Sequence, residues 1–187
     1  MIPAAANWRC FPYDSAAPAG QPFSPPYIHP GQTAGRFDLG DRPPLLYVSD
    51  YGAHVVAESL QAFRNSPFSA AMLRKYQHPL AVVEVTLTST LLGRLANLCD
   101  PGVLGSLGIA PDEPAHHDRA VTQPLARRIY DAKYAGLRWW STITGAWHTV
   151  ALFTDRFDPG DVTFGGARIL TPTDVEVLEA RRMLNIP

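Results

Sequence analysis

Proline is concentrated at the start of this chain, where nine of its 18 prolines lie within residues 1–44. Because proline fixes φ and lacks a backbone donor, we expect this segment to be extended or looped rather than helical. We therefore predict that residues 1–44 form an irregular segment that packs onto the domain. The segment also contains more aromatic residues than a disordered tail would: Trp8, Phe11, Tyr13, Phe23, Tyr27 and Phe37.

The composition predicts one folded domain spanning residues 1–187. With 46% apolar and 18% charged residues, the chain can build a core, and wholesale disorder is excluded. A formal net charge of −1 argues against a protein that coats nucleic acid or an anionic membrane. Glu84 interrupts the longest apolar candidate, around residues 80–87, so no run is long enough to span a bilayer.

The sequence also indicates a compartment. Met1–Cys10 has neither the basic start nor the apolar stretch of a signal peptide. The two cysteines, Cys10 and Cys99, cannot build a disulfide framework or a closed zinc site by themselves. We therefore expect a soluble, cytoplasmic protein.

Short apolar runs alternate with helical patterns along the remainder of the chain. The β-branched and aromatic runs predict strands at residues 45–49, 80–87 and 147–153. This alternation is typical of an α/β or α+β domain, in which helices flank a mixed sheet.

Helical spacing predicts helices at residues 51–64, 122–135 and 173–184, with Asp50 as the cap of the first. Residues 101–119 are rich in Gly, Pro and His, which predicts a long loop that could contain a helical turn.

Several common catalytic motifs are absent from the sequence. There is no G-x-G-x-x-G, no G-x-x-x-x-G-K-[ST], no G-x-S-x-G and no H-E-x-x-H. Nucleotide binding by the Rossmann or P-loop device and a nucleophile elbow are therefore excluded. His54 and Glu58, four residues apart, would share a helix face but need a third ligand from elsewhere to hold a metal. We expect no metal site.

Four polar residues stand where packing alone would not select them. Arg36 precedes the first predicted strand, and Tyr47 lies within it. Glu58 is in the middle of a predicted helix, and Ser141 comes just before a buried strand. Each also has an ordinary structural role open to it: a surface charge, a core ring, a solvated acid or a turn hydroxyl. Spacing alone does not decide between those roles and a shared site.

The order of the segments that contain these residues resembles the RES domain family. The resemblance places the Arg, Glu and Ser that name the family at Arg36, Glu58 and Ser141, as catalytic residues. Arg9 and Tyr47, together with Arg36, match positions that bind the substrate. The matching segments run through most of the chain: W-R-C-F, G-R-F, L-Y-V-S, V-A-E, A-G-L-R-W-W-S and V-A-L-F.

The resemblance implies a fold like that of the ADP-ribosyltransferases and a toxin enzyme that consumes NAD. It implies a cognate helix-turn-helix antitoxin of the Xre type as a partner, and it is compatible with a homo-oligomer inside the toxin–antitoxin complex. The resemblance implies no cofactor. NAD is the substrate, and inorganic phosphate is a co-substrate if it serves as the acceptor. We expect no direct binding to nucleic acid or membrane.

The chemistry of NAD suits these residue types. Departure of neutral nicotinamide leaves an oxocarbenium-like ribose, which a carboxylate at Glu58 in a partly dry cleft would stabilise. The planar guanidinium of Arg36 suits the diphosphate, and Tyr47 would stack on or hydrogen-bond to the nicotinamide-ribose end. Ser141 would fix a hydroxyl or amide through one directed hydrogen bond. The hypothesis requires Arg36, Glu58 and Ser141 to meet in one water-poor crevice.

Sequence reasoning leaves the acceptor open. Inorganic phosphate would give ADP-ribose-1″-phosphate, water would give ADP-ribose, and a protein side chain would become ADP-ribosylated. Phosphate needs an extra cation near the ribose carbon, for which Arg9 and Arg138 are candidates. A non-catalytic module that binds NAD or a partner is the remaining alternative.

Overall fold

The computed structural model describes residues 6–187 and divides them into two compact units. The first unit comprises residues 28–47 and 87–163, and the second comprises residues 6–27, 48–86 and 164–187. Residues 1–5, which begin both the predicted irregular segment and the N-terminal stretch discussed above, lie outside the described residues. One domain over residues 1–187 stays a prediction.

Strands, several of them consecutive, and helices are interspersed along the described chain. The strands are β1 (Asn7–Pro12), β2 (Leu45–Ser49), β3 (Arg74–Lys75), β4 (His78–Leu87), β5 (Leu95–Asn97), β6 (Gly136–Trp140), β7 (His148–Phe153), β8 (Val162–Phe164) and β9 (Arg168–Ile169). The α-helices are α1 (Gly52–Leu60), α2 (Ser89–Leu92), α3 (Pro101–Leu107), α4 (Arg119–Asp131) and α5 (Val175–Leu184). The predicted α/β class is confirmed.

The first unit contains a mixed sheet in the order β2-β7-β6-β5, to which β2 contributes its residues 45–47. Strands β6 and β7 are antiparallel, whereas β5 and β6 are parallel. The first residue of β6 is Gly136. A glycine is needed there because any Cβ would collide with the carbonyl of Ala151 on β7. Helix α4 packs its apolar face, with Leu125 and Ile129 fully buried, into the core of this unit.

The second unit contains an antiparallel arrangement in the order β3-β4-β1-β2, with β9 paired to β4. Helices α1 and α5 pack against each other, and α1 also packs against β1. Gly52 permits this close approach, because a Cβ here would lie 3.2 Å from Cγ of Glu176 and 3.6 Å from the Trp8 ring. The buried side of α1 carries Val56, Ala57 and Leu60.

The three predicted strands are confirmed with small changes in length. The strand at residues 45–49 has the predicted bounds, and the one predicted at 147–153 begins one residue later. Strand β4 begins at His78 rather than residue 80, because His78 and Pro79 pair with the short strand β3.

Helix ends differ more. Asp50 is not the cap of α1: the cap position is Tyr51, without a side-chain hydrogen bond, and the α-helix ends at Leu60 before a short 3-10 turn. Helix α4 spans Arg119–Asp131, three residues earlier than predicted at its start, because the carboxylate of Asp118 accepts from Ala120 N and caps it. Helix α5 begins at Val175, after the cap residue Asp174.

The loop predicted at residues 101–119 does contain helical structure, but as helix α3 over Pro101–Leu107 rather than a single turn. Asp100 accepts a hydrogen bond from Gly102 N, Pro101 occupies the first turn, and Gly108 ends the helix with φ of 61°. This is a typical combination of cap, N-terminal proline and left-handed C-terminal glycine. The prediction also missed β1 and β6, so Arg36 precedes the second strand of the described chain rather than the first.

Within residues 6–187, no helix has both the length and the apolar character needed to cross a membrane.

Candidate functional site

Arg36 lies in a tight loop of the first unit that is tied to β2 by a buried carboxylate. Asp38, only 3% exposed, accepts a hydrogen bond from Gly35 N at 2.6 Å and from the Tyr47 hydroxyl at 2.8 Å. The Tyr47 hydroxyl in turn accepts from Phe37 N at 3.3 Å. These hydrogen bonds fix the backbone on both sides of Arg36.

Two further contacts constrain the same loop. The Thr122 hydroxyl on α4 donates to the Arg36 carbonyl at 2.5 Å, and Arg36 Nη1 donates to the Pro114 carbonyl at 3.4 Å, a long hydrogen bond. A Cβ at Gly35 would lie 2.5 Å from a carboxylate oxygen of Asp38, so only glycine fits at this position. Asp38 therefore holds the backbone before Arg36, Tyr47 holds the backbone after it, and Thr122 holds the carbonyl of Arg36 itself.

Tyr47 contributes its hydroxyl to this loop. Burial, together with the neighbouring Asp38 carboxylate, raises the pKa of Tyr47 well above its usual value, while the positive charge of Arg36 acts in the opposite direction. Tyr47 and Arg36 are therefore close enough to interact electrostatically. A role for Tyr47 in holding nicotinamide-ribose stays a prediction. Its hydroxyl is occupied by the contacts with Asp38 and Phe37, and its partly buried ring packs against the hydrophobic core of the first unit.

Ser141 directly follows β6 and is buried. Its backbone N donates to the Trp147 carbonyl at 2.7 Å, and its hydroxyl accepts from Ile143 N at 2.9 Å. Ser141 thus closes the turn between β6 and β7, and its hydroxyl hydrogen can still be donated. Arg138 lies on β6 itself, and its guanidinium donates to the Asn97 side chain at 3.3 Å.

Arg9 is on β1 in the second unit, where it contacts a later part of the irregular segment predicted at residues 1–44. Its guanidinium donates to the carbonyls of Pro25 at 2.5 Å and Tyr27 at 2.6 Å, and it lies over the Phe11 ring. Burial lowers the pKa of Arg9 to about 10, so the group is still a cation at neutral pH. The predicted role of Arg9 in binding substrate or phosphate stays a prediction.

Glu58 is on α1 in the second unit, and 45% of its side chain is exposed. One carboxylate oxygen, Oε1, lies 3.4 Å from Nε2 of His54, one helical turn earlier. His54 is fully buried, and its Nδ1 contacts the Ser49 hydroxyl at the end of β2. The acid therefore faces solvent with a buried imidazole behind it.

The predicted site residues fall in both units. Arg36, Tyr47 and Ser141 belong to the first, whereas Arg9 and Glu58 belong to the second. The structure brings Arg36 and Tyr47 together around Asp38. The meeting of Arg36, Glu58 and Ser141 in one crevice stays a prediction. Among residues 6–187, no group of three or more His, Cys, Asp and Glu side chains could hold a metal.

Sequence reasoning missed Asp38, Thr122 and Ser49, and it considered His54 only as a metal ligand. Asp38 directly follows the G-R-F segment, and a carboxylate beside a glycine and an arginine is a signal that could have been used. The hydroxyl of Thr122 lies 86 residues from its partner at Arg36, and nothing in the sequence connects the two.

Comparisons with known proteins agree with this fold. One chain of a solved structure, the M. tuberculosis MbcT–MbcA toxin–antitoxin complex, superimposes with a TM-score of 0.64 over 96% of this chain and 90% of its own length. The sequence identity is 17%, so this similarity shows the fold alone. No curated protein matches the sequence. The RES domain family model matches residues 7–167, which include Arg36, Glu58 and Ser141. The chain therefore belongs to the RES domain family.

Proposed function

We propose that this protein is the toxin of a toxin–antitoxin pair and an enzyme that cleaves the nicotinamide–ribose bond of NAD. The observation that carries the proposal is the family match over residues 7–167, because this range includes every residue to which we assign a role. The structural similarity to a chain of a toxin–antitoxin complex supports the same function.

Arg36 is suited to bind the diphosphate. A guanidinium can donate two parallel hydrogen bonds to phosphate oxygens, provided that its backbone does not shift when the anion binds. Asp38, Tyr47 and Thr122 supply that rigidity, because they hold the backbone beside and at Arg36. Preorganisation of this kind lowers the cost of ordering the site when the ligand binds.

Glu58 is suited to stabilise the ribose as nicotinamide leaves. Positive charge develops on the anomeric carbon when the C–N bond breaks, and a fixed carboxylate nearby lowers the energy of that state. The same carboxylate can hold a ribose hydroxyl or orient the incoming nucleophile. Nicotinamide leaves as a neutral molecule, so no general acid is required.

The other residues have supporting roles in this proposal. Ser141 donates its hydroxyl hydrogen to the substrate, since its oxygen already accepts from Ile143 N. The ring face of Tyr47 packs against the nicotinamide-ribose end. Arg9 and Arg138 are the candidate cations for an inorganic phosphate co-substrate.

Phosphate or water serves as the acceptor in our preferred reaction. Attack by phosphate forms a C–O bond to the anomeric carbon and yields ADP-ribose-1″-phosphate and nicotinamide. Attack by water yields ADP-ribose, nicotinamide and a proton. Transfer to a protein side chain is the second candidate, and binding of NAD or a partner without reaction is the third.

The partner in this proposal is a cognate antitoxin of the helix-turn-helix Xre type, encoded beside the toxin. The structural similarity to a chain of a solved toxin–antitoxin complex supports a protein antitoxin. The antitoxin class rests on the family resemblance, as does a homo-oligomer within the complex. A cytoplasmic location is part of the proposal as well.

Chromatography of the products formed from NAD, with and without inorganic phosphate, tests the proposal. If phosphate is the acceptor, we expect nicotinamide and ADP-ribose-1″-phosphate with phosphate present and no nicotinamide without it. If water is the acceptor, we expect nicotinamide and ADP-ribose in both cases. Labelled NAD that marks a protein would favour ADP-ribosyl transfer. NAD that stays intact over a long incubation in both cases would contradict catalysis. Binding of NAD or a partner without reaction would then be the remaining candidate function.

A further inference from the structure

A buried histidine stands behind the carboxylate of Glu58. His54 is fully buried, whereas 45% of the Glu58 side chain is exposed, and Nε2 of His54 lies 3.4 Å from Oε1 of Glu58. The two residues are four apart on α1, which places their side chains on one face of the helix. Nδ1 of His54 contacts the hydroxyl of Ser49, which is 1% exposed. Three side chains of the second unit therefore form one line from the end of β2 to the surface of α1.

Electrostatics selects one arrangement of protons along this line. If Nδ1 carried the only ring proton, the lone pair of Nε2 would face the negative charge of Glu58 at 3.4 Å, which is repulsive. If the Ser49 hydroxyl donates to Nδ1, Nε2 carries the proton, and its N–H dipole lies beside the carboxylate at the 3.4 Å of an ion-pair contact rather than in a formed hydrogen bond. The charge of Glu58 therefore selects the tautomer, and the Ser49 hydroxyl, which can donate or accept, completes it by donating to Nδ1.

We propose that Ser49 and His54 position the carboxylate of Glu58 for its reaction. His54 is a positioning residue here, since it acts through Glu58 rather than on the substrate. A glutamate side chain has three rotatable bonds, and an exposed one samples several rotamers unless a partner restricts it. An N–H from a buried, immobile ring restricts Glu58 without removing its outer surface from solvent. The catalytic meaning of this inference rests on the proposed cleavage of NAD.

Substitution of His54 by Gln or Met distinguishes positioning from packing. The amide nitrogen of Gln can reach the place of Nε2 and still donate to Glu58, whereas Met fills a similar volume without a donor. We expect His54→Met to lower kcat about tenfold or more with KM little changed, because misplacement of a reacting group acts on the chemical step. His54→Gln should keep most of kcat. His117→Gln, at an exposed position on the loop before α4, is the matched control and should behave as the wild type.

The kinetic result overturns the proposal if His54→Met retains the kcat of the wild type, or if Gln lowers kcat as much as Met while both variants remain folded. Circular dichroism and thermal melting establish folding. Because a substitution at a fully buried position can unfold the chain, a second measurement uses the unmodified histidine.

Nitrogen-15 NMR of the imidazole rings tests the contact whether or not NAD is cleaved. Sequential assignment of the isotope-labelled wild-type protein identifies the ring of His54 among the six histidines. We expect that ring to show the Nε2–H tautomer and to shift when Glu58 becomes Gln, but not when the exposed Glu84 on β4 becomes Gln. An Nδ1–H tautomer, or shifts that are the same in wild type and Glu58→Gln, would overturn the positioning role. Absence of NAD cleavage beside the expected NMR result would instead contradict the proposed function alone.

Discussion

The two units hold their candidate functional residues by different means. In the first unit, Arg36 depends on partners that are distant in sequence: Thr122 is 86 residues away and Pro114 is 78 residues away. In the second unit, Glu58 depends on its own helix, with His54 one turn earlier as the nearest polar neighbour described. Asp38 beside Arg36 is buried, whereas the Glu58 side chain is 45% exposed.

This difference separates stability from activity. A change at the buried hydrogen bonds around Arg36 disturbs the core of the first unit and the proposed diphosphate contact together. A change at Glu58 removes a charged oxygen at the surface of a helix and leaves the packing of that helix intact. Activity and stability should therefore be lost together in the first unit and independently in the second.

The largest effect is expected at Glu58. Replacement by Gln removes the negative charge and should lower kcat for NAD cleavage by about a hundredfold or more, the range seen when one stabilising group is lost. Thermal unfolding should hardly change, because the side chain is exposed and the amide has the same shape. Glu84→Gln, also exposed, is the matched control for steady-state kinetics and for melting. Full activity in Glu58→Gln would remove the assigned role.

Arg36→Lys should have the next largest effect. Lysine keeps the positive charge but cannot donate two parallel hydrogen bonds, so we expect kcat/KM for NAD to fall about tenfold. Arg119→Lys, at the exposed start of α4, should leave kcat/KM unchanged. Equal kinetics in the two variants would show that Arg36 does not grip the diphosphate.

Asp38→Asn tests whether the first unit couples stability to activity. Asn keeps the shape, but its NH₂ group would face a donor, either Gly35 N or the Tyr47 hydroxyl. We expect the free energy of unfolding to fall by about 2 kcal/mol, measured by denaturant titration, because hydrogen bonds to a buried charge are lost. NAD cleavage should decline as well, since the Arg36 loop loosens. Asp112→Asn, at an exposed position, is the control, and a stable but inactive Asp38→Asn would contradict the coupling.

The smallest effect concerns Cys10 in the second unit and alkaline pH. Burial raises the pKa of the Cys10 thiol from 9.0 to about 11, so the folded protein keeps a proton that the unfolded chain releases. Stability is therefore fully present below pH 9 and declines as the pH rises from 9 towards 11. Denaturant titrations at several pH values should show a shallower decline for Cys10→Ala than for the wild type. Cys99→Ala should retain the slope of the wild type; a slope that Cys10→Ala leaves unchanged would contradict the shifted thiol.

Local patterns in the sequence predicted much of the fold. The strand at residues 45–49 could be predicted because most of its five residues are apolar. The other two predicted strands differ from the observed ones only at their first residues, where pairing with a neighbouring strand sets the boundary. Strand β6 was missed because its segment contains Gly136 and Arg138, and its extended form depends on pairing with β5 and β7. Helix α3 was expected as no more than a helical turn, although its cap signals are in the sequence, because its glycines favoured a loop.

The candidate site could be predicted only in part. Arg36, Glu58 and Ser141 were selected because the order of their segments along the chain resembles the RES domain family, and that order can be read directly from the sequence. The partners of Arg36 at Asp38 and Thr122 depend on how a loop, a strand and a helix come together in three dimensions. The contact of His54 with Ser49 likewise depends on the turn that joins β2 to α1.

The most direct test of the central claim is a proton NMR time course of purified protein with NAD and inorganic phosphate. We predict that the signals of nicotinamide bound to ribose decline while those of free nicotinamide grow by the same amount. NAD signals that broaden through binding yet keep their full intensity would contradict an enzyme that cleaves this bond.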